Sequence, residues 1–237
     1  MNKAIAYVED DDLIRENYAE LLGESGFEVT TYSNSKDAMV AFSQKMPNLV
    51  LLDITLGRER DAGFQLCSDI RKLSSIVQIV FLTSHDGEID KVSGLRLGAD
   101  DYITKDVSID YIVVRLEALF RRLESLGVRS EEPADTKTGL QPESDLRDIV
   151  LDRHRSKISW KGLDVDLPLT HYWIVECLAS EPGQVKSHRE LMHAANILVE
   201  PNTIVAHVKS IRACFMELDP EFDHIRTERG RGYRWIS

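Results

Sequence analysis

Over its first 124 residues the chain alternates short apolar runs with amphipathic segments, and no other feature restricts its folding as much. Strand candidates are Ala4 to Val8, Phe27 to Tyr32, Leu49 to Leu52, Ile76 to Leu82 and Tyr102 to Ile103. The run Leu49 to Leu52 follows Pro47 and Asn48 and ends at Asp53, the signature of a strand buried on both faces. Between the strands, Leu13, Tyr18, Leu21 and Leu22, then Ala38, Val40, Ala41 and Phe42, recur at helical intervals. Alternating strands and helices imply an α/β fold with a five-stranded, doubly wound parallel sheet and right-handed crossovers. A ligand then belongs beyond the carboxyl ends of the strands, near the topological switch point.

Residues 125–144, "SLGVRSEEPADTKTGLQPES", break this pattern with two prolines, two glycines and small polar residues. They read as a flexible linker between a domain at 1–124 and a second at 145–237. The second half turns helical after a polar, strand-like start. Thr170 is placed to cap "HYWIVECLAS", and Ser187 and Glu190 have the spacing of a capping box. Ile204, Val208, Ile211, Phe215 and Leu218 fall on one helical face, and "HIRTERGRGYRWIS" reads as a hairpin turning at Gly230 to Gly232.

Charge separates the halves. Residues 1–126 hold 14 Lys and Arg against 22 Asp and Glu, while residues 141–237 hold 13 against 15. The overall charge of −11 opposes nonspecific nucleic-acid binding by the whole molecule, yet the last 12 residues carry four arginines and one glutamate. Three cysteines and seven histidines are scattered without metal-ligand spacing, so no zinc site is expected and the thiols read as reduced. No apolar stretch approaches the roughly 20 residues a bilayer span needs, and the N-terminus turns acidic too soon for a secretory signal. The expected location is cytoplasmic, with no membrane partner.

The strand ends carry the chemistry. The first strand runs into Glu9 and Asp10, the third into Asp53, the fourth into Thr83 and Ser84, and Lys105 follows the fifth. Parallel strands would bring these groups to one edge. Two carboxylates about 5 Å apart repel by roughly 3 kcal/mol at an effective dielectric of 20, so three together must bind a cation or hold protons. Mg²⁺ suits hard oxygen ligands and keeps positions open for phosphate oxygens. A lysine and a threonine beside it match the needs of phosphoryl transfer, and Asp53 then reads as the phosphoacceptor nucleophile.

The segments "AYVEDDDLIRENYAELLGESGFEV", "PNLVLLDITL", "IVFLTS" and "GADDYITK" resemble the receiver domain of two-component response regulators, with its flavodoxin-like fold. The resemblance implies that Asp53 takes a phosphoryl group from a sensor histidine kinase. Glu9, Asp10, Asp53 and the backbone carbonyl of Thr55 would hold Mg²⁺. Lys105 would pair with the phosphate, Thr83 would move to it, and Tyr102 would swing inward as a switch. The chain also departs from the pattern. "DITLGRERDAGF" lacks the usual proline and inserts Arg58, Glu59, Arg60 and Asp61, which suggests a longer, more mobile loop. Asp106 follows Lys105 where proline is usual, which leaves the resting position of Lys105 open, and Ser84 and His85 stand where the phosphoryl lifetime could be altered.

The second half, through "LPLTHYWIVECLASEPGQVKSHRELM", "NTIVAHVKSIRACF" and "IRTERGRGYRW", resembles the winged helix-turn-helix domain of the OmpR/PhoB subfamily. That implies a third helix in the major groove and a wing against the minor groove. The groove side would offer Asn202, Thr203, His207, Lys209, Ser210 and Arg212, and the wing Arg229 and Arg231, with Tyr233 and Trp235 in the core. Asn202 and Ser210 make this helix less basic than is usual, so affinity should depend on dimerisation.

The family's usual output is a homodimer formed on phosphorylation, which here would use Lys91, Arg96, Asp100, Asp101, Tyr111, Arg115, Glu117 and Arg122 and would favour direct repeats in double-stranded DNA. The expectation is therefore a phosphorylation-activated DNA-binding regulator and not an enzyme. The alternatives are a regulator that works without phosphorylation and a Mg²⁺-dependent aspartyl phosphohydrolase.

Overall fold

The computed structural model describes residues 3–57, 61–85, 87–131, 148–153, 155–195 and 202–236. In the first half five strands, β1 (Ala4–Val8), β2 (Glu28–Tyr32), β3 (Leu49–Leu52), β4 (Gln78–Thr83) and β5 (Asp101–Thr104), form one parallel sheet in the order β2-β1-β3-β4-β5. The crossovers are α1 (Asp12–Glu24), α2 (Ser35–Gln44), α3 (Ala62–Leu73) and α4 (Glu88–Arg96), and α5 (Ile109–Glu131) follows β5. α5 therefore extends through residues 125–131, the start of the stretch expected to be linker, and the rest of that stretch lies outside the described residues.

The strict period of two along each strand explains why its apolar run is unbroken. Ala6, Val8, Val50, Leu52, Ile79 and Phe81 face one layer with Phe42, Leu66, Cys67 and Ile70. Ile5, Tyr7, Leu49, Leu51, Val80 and Leu82 face the other, with Leu22, Ile112, Leu116 and Phe120. Every residue of β3 is thus fully buried, whichever face it serves. Helix α1 is capped by Asp11, whose carboxylate accepts from the backbone N–H of Ile14 at 3.0 Å. Leu13, whose spacing suggested a core position, is instead 80% exposed on its outer side.

The second half opens with an antiparallel sheet of β6 (Ile149–Asp152), β7 (Lys157–Trp160) and β8 (Leu163–Val165). The two-residue turn Lys161-Gly162 has positive φ at both positions, the backbone twist that joins such strands most directly. Three helices follow, α6 (Leu169–Ala179), α7 (His188–Ala195) and α8 (Asn202–Leu218), and then the wing of β9 (Ile225–Glu228) and β10 (Gly232–Trp235). Their core gathers around Trp160, whose ring meets Phe215, Phe222 and Trp235. Ser187 and Glu190 form the expected reciprocal cap of α7, with Ser187 N–H donating to Glu190 Oε2 at 2.8 Å and Glu190 N–H to Ser187 Oγ at 3.2 Å. Thr170 caps nothing: α6 starts one residue earlier, after Pro168, and buries the threonine in its first turn.

Gly63 ties the first domain's active edge to its helix layer. Its N–H donates to the carbonyl of Ile54 at 2.8 Å, and a Cβ there would overlap the backbone oxygen of Asp53. Gly63→Ala should therefore destabilise the first domain by about 1–3 kcal/mol, the usual cost of overpacking. A urea unfolding midpoint equal to that of the wild type would refute this.

Candidate functional site

The parallel sheet delivers the expected side chains to one edge. Glu9 follows β1, Asp53 follows β3, Thr83 ends β4 and Lys105 follows β5. One carboxylate oxygen from each of Glu9, Asp10 and Asp53 lies within 4.8 Å of the others. Lys105 Nζ donates to Glu9 Oε2 at 2.5 Å and to Asp53 Oδ2 at 2.9 Å. The other Asp53 oxygen accepts from Ile54 N–H at 2.7 Å. Glu9 and Asp53 are both buried. Burial pushes the Glu9 carboxyl above its ordinary range, although the Lys105 hydrogen bond opposes the shift. Burial also works against the Lys105 ammonium, but its bonds to Asp53 and Glu9 prevail and raise its pKa.

The peptide linking Lys105 to Asp106 is trans. The lysine reaches Asp53 nonetheless, because its own N–H is anchored to the carbonyl of Thr83 at 2.8 Å. Thr83 is fully buried and its Oγ1 accepts from His85 N–H at 3.3 Å. His85 bridges outward: its Nε2 lies 3.2 Å from Thr55 Oγ1 and its Nδ1 3.2 Å from Asp90 Oδ2. Tyr102 is buried beside Phe81 and donates its hydroxyl to the carbonyl of His85 at 2.6 Å, so β5 and the loop after Thr83 are joined. Three supports were not foreseen. Tyr7 donates to Glu9 Oε2 at 2.8 Å, Arg15 donates to the Glu9 carbonyl at 2.9 Å, and Tyr18 donates to the Lys105 carbonyl at 3.4 Å. Tyr7 was detectable, since it stands two residues before Glu9 and an extended chain puts both on one side. The loop positions Arg58, Glu59 and Arg60 lie outside the described residues.

The second half redistributes the residues expected to face DNA. His207 is completely buried and its Nδ1 lies 3.0 Å from Nε2 of the equally buried His171 on α6, so it is a core residue and not a groove contact. Thr203 is also buried. Arg212 donates to the carbonyl of Ile225 at 2.6 Å and to Thr227 Oγ1 at 2.9 Å, which commits it to holding the wing. Lys209 is exposed, as are Arg229 and Arg231 on the wing turn. Ser210 donates its hydroxyl to the carbonyl of Arg96 on α4 at 3.3 Å. The side chain of Asn202 lies outside the described residues.

Several charges expected at a dimer surface are engaged within the chain. Asp100 pairs with Arg71 at 2.5 Å and accepts from Ile79 N–H at 2.9 Å. Asp101 pairs with Arg115, and both are buried, since unpaired charges could not be accommodated inside the fold. Burial raises the Asp101 pKa against the opposing pull of Arg115. Glu117 pairs with Lys3 at 3.5 Å and with Arg121 at 3.9 Å. Arg96 and Tyr111 are exposed, while the side chains of Lys91 and Arg122 lie outside the described residues.

An acid pocket at the edge of a five-stranded parallel sheet, followed by three helices and a wing, defines a receiver joined to a winged-helix regulator. The family model for the response regulator receiver domain matches residues 5–117, and that for the C-terminal domain of transcriptional regulatory proteins matches residues 162–235. The chain is 31% identical to the transcriptional regulatory protein BaeR of Escherichia coli O6:H1 over 98% of its own length and 92% of that protein's. It is 32% identical to the sensory transduction protein RegX3 of Mycolicibacterium smegmatis over 98% of both. A solved structure of a RitR cysteine-to-serine mutant, 18% identical, superposes with a TM-score of 0.76 over 99% of each chain. The chain belongs to the OmpR/PhoB family of two-component response regulators, and it is a phosphorylation-activated transcriptional regulator. Its relatives are regulators rather than enzymes, which removes the phosphohydrolase alternative. Among the described residues no helix is long and apolar enough to cross a membrane.

The buried histidine pair generates a pH dependence. Burial holds His207 down to about 4, and burial together with His207 and Arg71 holds His171 well below the ordinary imidazole range. An unfolded chain, whose imidazoles titrate near about 6.5, binds protons that the folded pair refuses. Stability should therefore fall as pH drops from about 6.5 toward about 4. Thermal melts of the wild type and of a His171→Gln/His207→Gln double variant check this. The variant's melting temperature should drift less across the window, and parallel drifts would exclude the pair as the cause.

Proposed function

We propose that Asp53 accepts the phosphoryl group and that Lys105, Thr83 and Tyr102 convert its arrival into a change of shape. The observation that carries this reading is the ammonium of Lys105 bridging Asp53 and Glu9 in a buried acidic pocket. In the transfer, an Asp53 oxygen bonds to phosphorus as the bond to the kinase histidine nitrogen breaks, and that nitrogen leaves with the electron pair. Lys105 then moves its hydrogen bonds from the carboxylate to phosphoryl oxygens, a short shift for a flexible side chain. Thr83 can offer its hydroxyl to the same oxygens. Because His85 joins Thr83 Oγ1 and the Tyr102 hydroxyl, a displaced Thr83 disturbs β5 through one intervening residue.

The residues present fit a divalent cation. Three convergent carboxylate oxygens are hard ligands, and two of them sit where burial leaves excess negative charge unsolvated. Glu9, Asp10, Asp53 and the Thr55 carbonyl would hold Mg²⁺, which when bound neutralises charge on the transferring phosphoryl oxygens.

The output belongs to the winged helix. We assign residues 1–124 to the receiver, 125–144 to the connection and 145–237 to the DNA-binding domain, with α5 running into the connection. Lys209, Arg229 and Arg231 are the exposed cations suited to DNA, and Asn202 and Ser210 complete the candidate surface. A homodimer through α4, β5 and α5 would use Lys91, Arg96, Tyr111, Glu117 and Arg122. Asp100, Asp101 and Arg115 would join only by exchanging their present partners. Two tethered winged helices on direct repeats would compensate for the sparse basic charge of α8. The setting is cytoplasmic, with a sensor histidine kinase as donor.

Intact mass after incubation with Mg²⁺ and acetyl phosphate tests the assignment. The wild type should gain one phosphoryl group and shift toward dimer on sizing, whereas Asp53→Ala should do neither. A phosphoryl group retained by Asp53→Ala would move the acceptor elsewhere.

A further inference from the structure

The two halves of the chain meet along a boundary where α4 packs on α8 and where Leu123 of α5 touches the cores of both. Between the halves lies a cavity of about 230 Å³. The receiver supplies Ser75 and Ile76, from the turn that leads into β4, and the winged helix supplies the rest of the wall. The floor is apolar, made by Val165, Leu167, Leu169 and Tyr172, all of them buried. Ile76, 64% exposed, is the apolar side chain that the first half contributes. A void of this size is foreign to a close-packed interior. Concave, mostly apolar spaces with a few polar groups, set at domain boundaries, are where small molecules bind.

Three observations say what would fill it. The hydroxyl oxygen of Ser156 is buried at the cavity wall with no hydrogen-bond partner among the described residues, and a buried polar group costs free energy until a partner meets it. The rim carries both signs of charge: Arg155 and Lys157 flank Ser156 in the chain, and Asp164 and Asp166 flank Val165. Asp164 accepts from the Ser159 hydroxyl at 3.1 Å, whereas Lys157 and Asp166 form no ion pair among the described residues. The third observation is volume. An apolar cavity of about 150 Å³ takes up a benzene ring, so the larger space here admits one ring and a short polar head.

We propose that this cavity binds a small zwitterion with one apolar ring or branched chain, the chemical class of the hydrophobic amino acids. Its apolar part rests on Leu167 and Tyr172 beside Ile76, its carboxylate takes the Lys157 ammonium and the Ser156 hydroxyl, and its ammonium meets Asp166. A purely apolar compound would leave Ser156 unmet, and a simple anion or cation would answer only half of the rim. The site shares no residue with the acid pocket around Asp53, so it is a second input, distinct from the phosphoryl group. Because both halves form the wall, a bound molecule favours the arrangement in which they touch, by as much as its affinity for that arrangement exceeds its affinity for the separated halves.

Isothermal titration calorimetry on the full chain uses L-phenylalanine as the probe, beside hydrocinnamate, which lacks the ammonium, and phenethylamine, which lacks the carboxylate. Phenylalanine should bind saturably with a Kd of about 1 mM or below, and each analogue at least about tenfold more weakly, the loss of one charge-assisted hydrogen bond. Lys157→Gln and Asp166→Asn change exposed side chains and should each weaken phenylalanine by a similar factor. Ser156→Gly removes the hydroxyl without straining the turn, since Ser156 has a φ of 50°, a conformation glycine adopts freely. It too should weaken binding. Ile76→Ala should do the same, which a site formed by the second half alone would not show. Absence of saturable phenylalanine binding, equal binding by either analogue, or binding indifferent to these substitutions would overturn the proposal.

Discussion

The receiver depends on a charge cluster that its own sheet makes unavoidable. Parallel strands end at one edge, so Glu9 and Asp53 are brought together and buried, and the repulsion is contained by Lys105 at 2.5 and 2.9 Å. A lysine so placed compensates two carboxylates only while no other cation or phosphoryl group is present. The pocket is thus an electrostatic balance with a movable member, and any change in its charge must be answered by Lys105. Tyr7 and Arg15 hold the Glu9 side chain and carbonyl, which leaves the lysine as the more adaptable partner.

That adaptability has a mechanical outlet. Lys105 is anchored by its backbone to Thr83, Thr83 to His85, and His85 to Tyr102. These links cross from β4 to β5 just above α4. Gly94 lies so close to Phe81 that α4 has little freedom to move independently of the sheet. A rearrangement of the β4 end would therefore be carried to α4 by packing, since a close-packed contact shifts as a unit rather than deforming.

Much of this was legible in the sequence, and the reasons for the exceptions are specific. The apolar run of β3 and its terminal Asp53 stand out because both faces of a central strand are buried and the chemistry sits at its end. The capping box at Ser187 and the wing turn are local patterns that tertiary structure had no cause to override. His207 failed because helical periodicity gives a direction and not a depth: it lies beside the core stripe of α8, and only the arrival of His171 from α6 decides that it is buried. Arg212 failed for a related reason, since its partners on the wing are 13 and 15 residues away. The charges of Asp100 and Asp101 looked exposed because acidic pairs usually are. Their partners Arg71 and Arg115 are separated from them by 29 and 14 residues, beyond any local rule.

The poverty of basic charge on α8 is better understood as a compromise than as a defect. A helix that reads DNA gains from arginine and lysine, but a helix that also rests on α4 must keep small residues where the backbones approach. Ala206 and Ser210 satisfy the second demand, and Lys209, exposed beside Ser210, would serve the first. Nonspecific affinity must then be low for a single domain, because few phosphates can be neutralised. A second winged helix tethered on the same DNA would then add most of the affinity for paired sites.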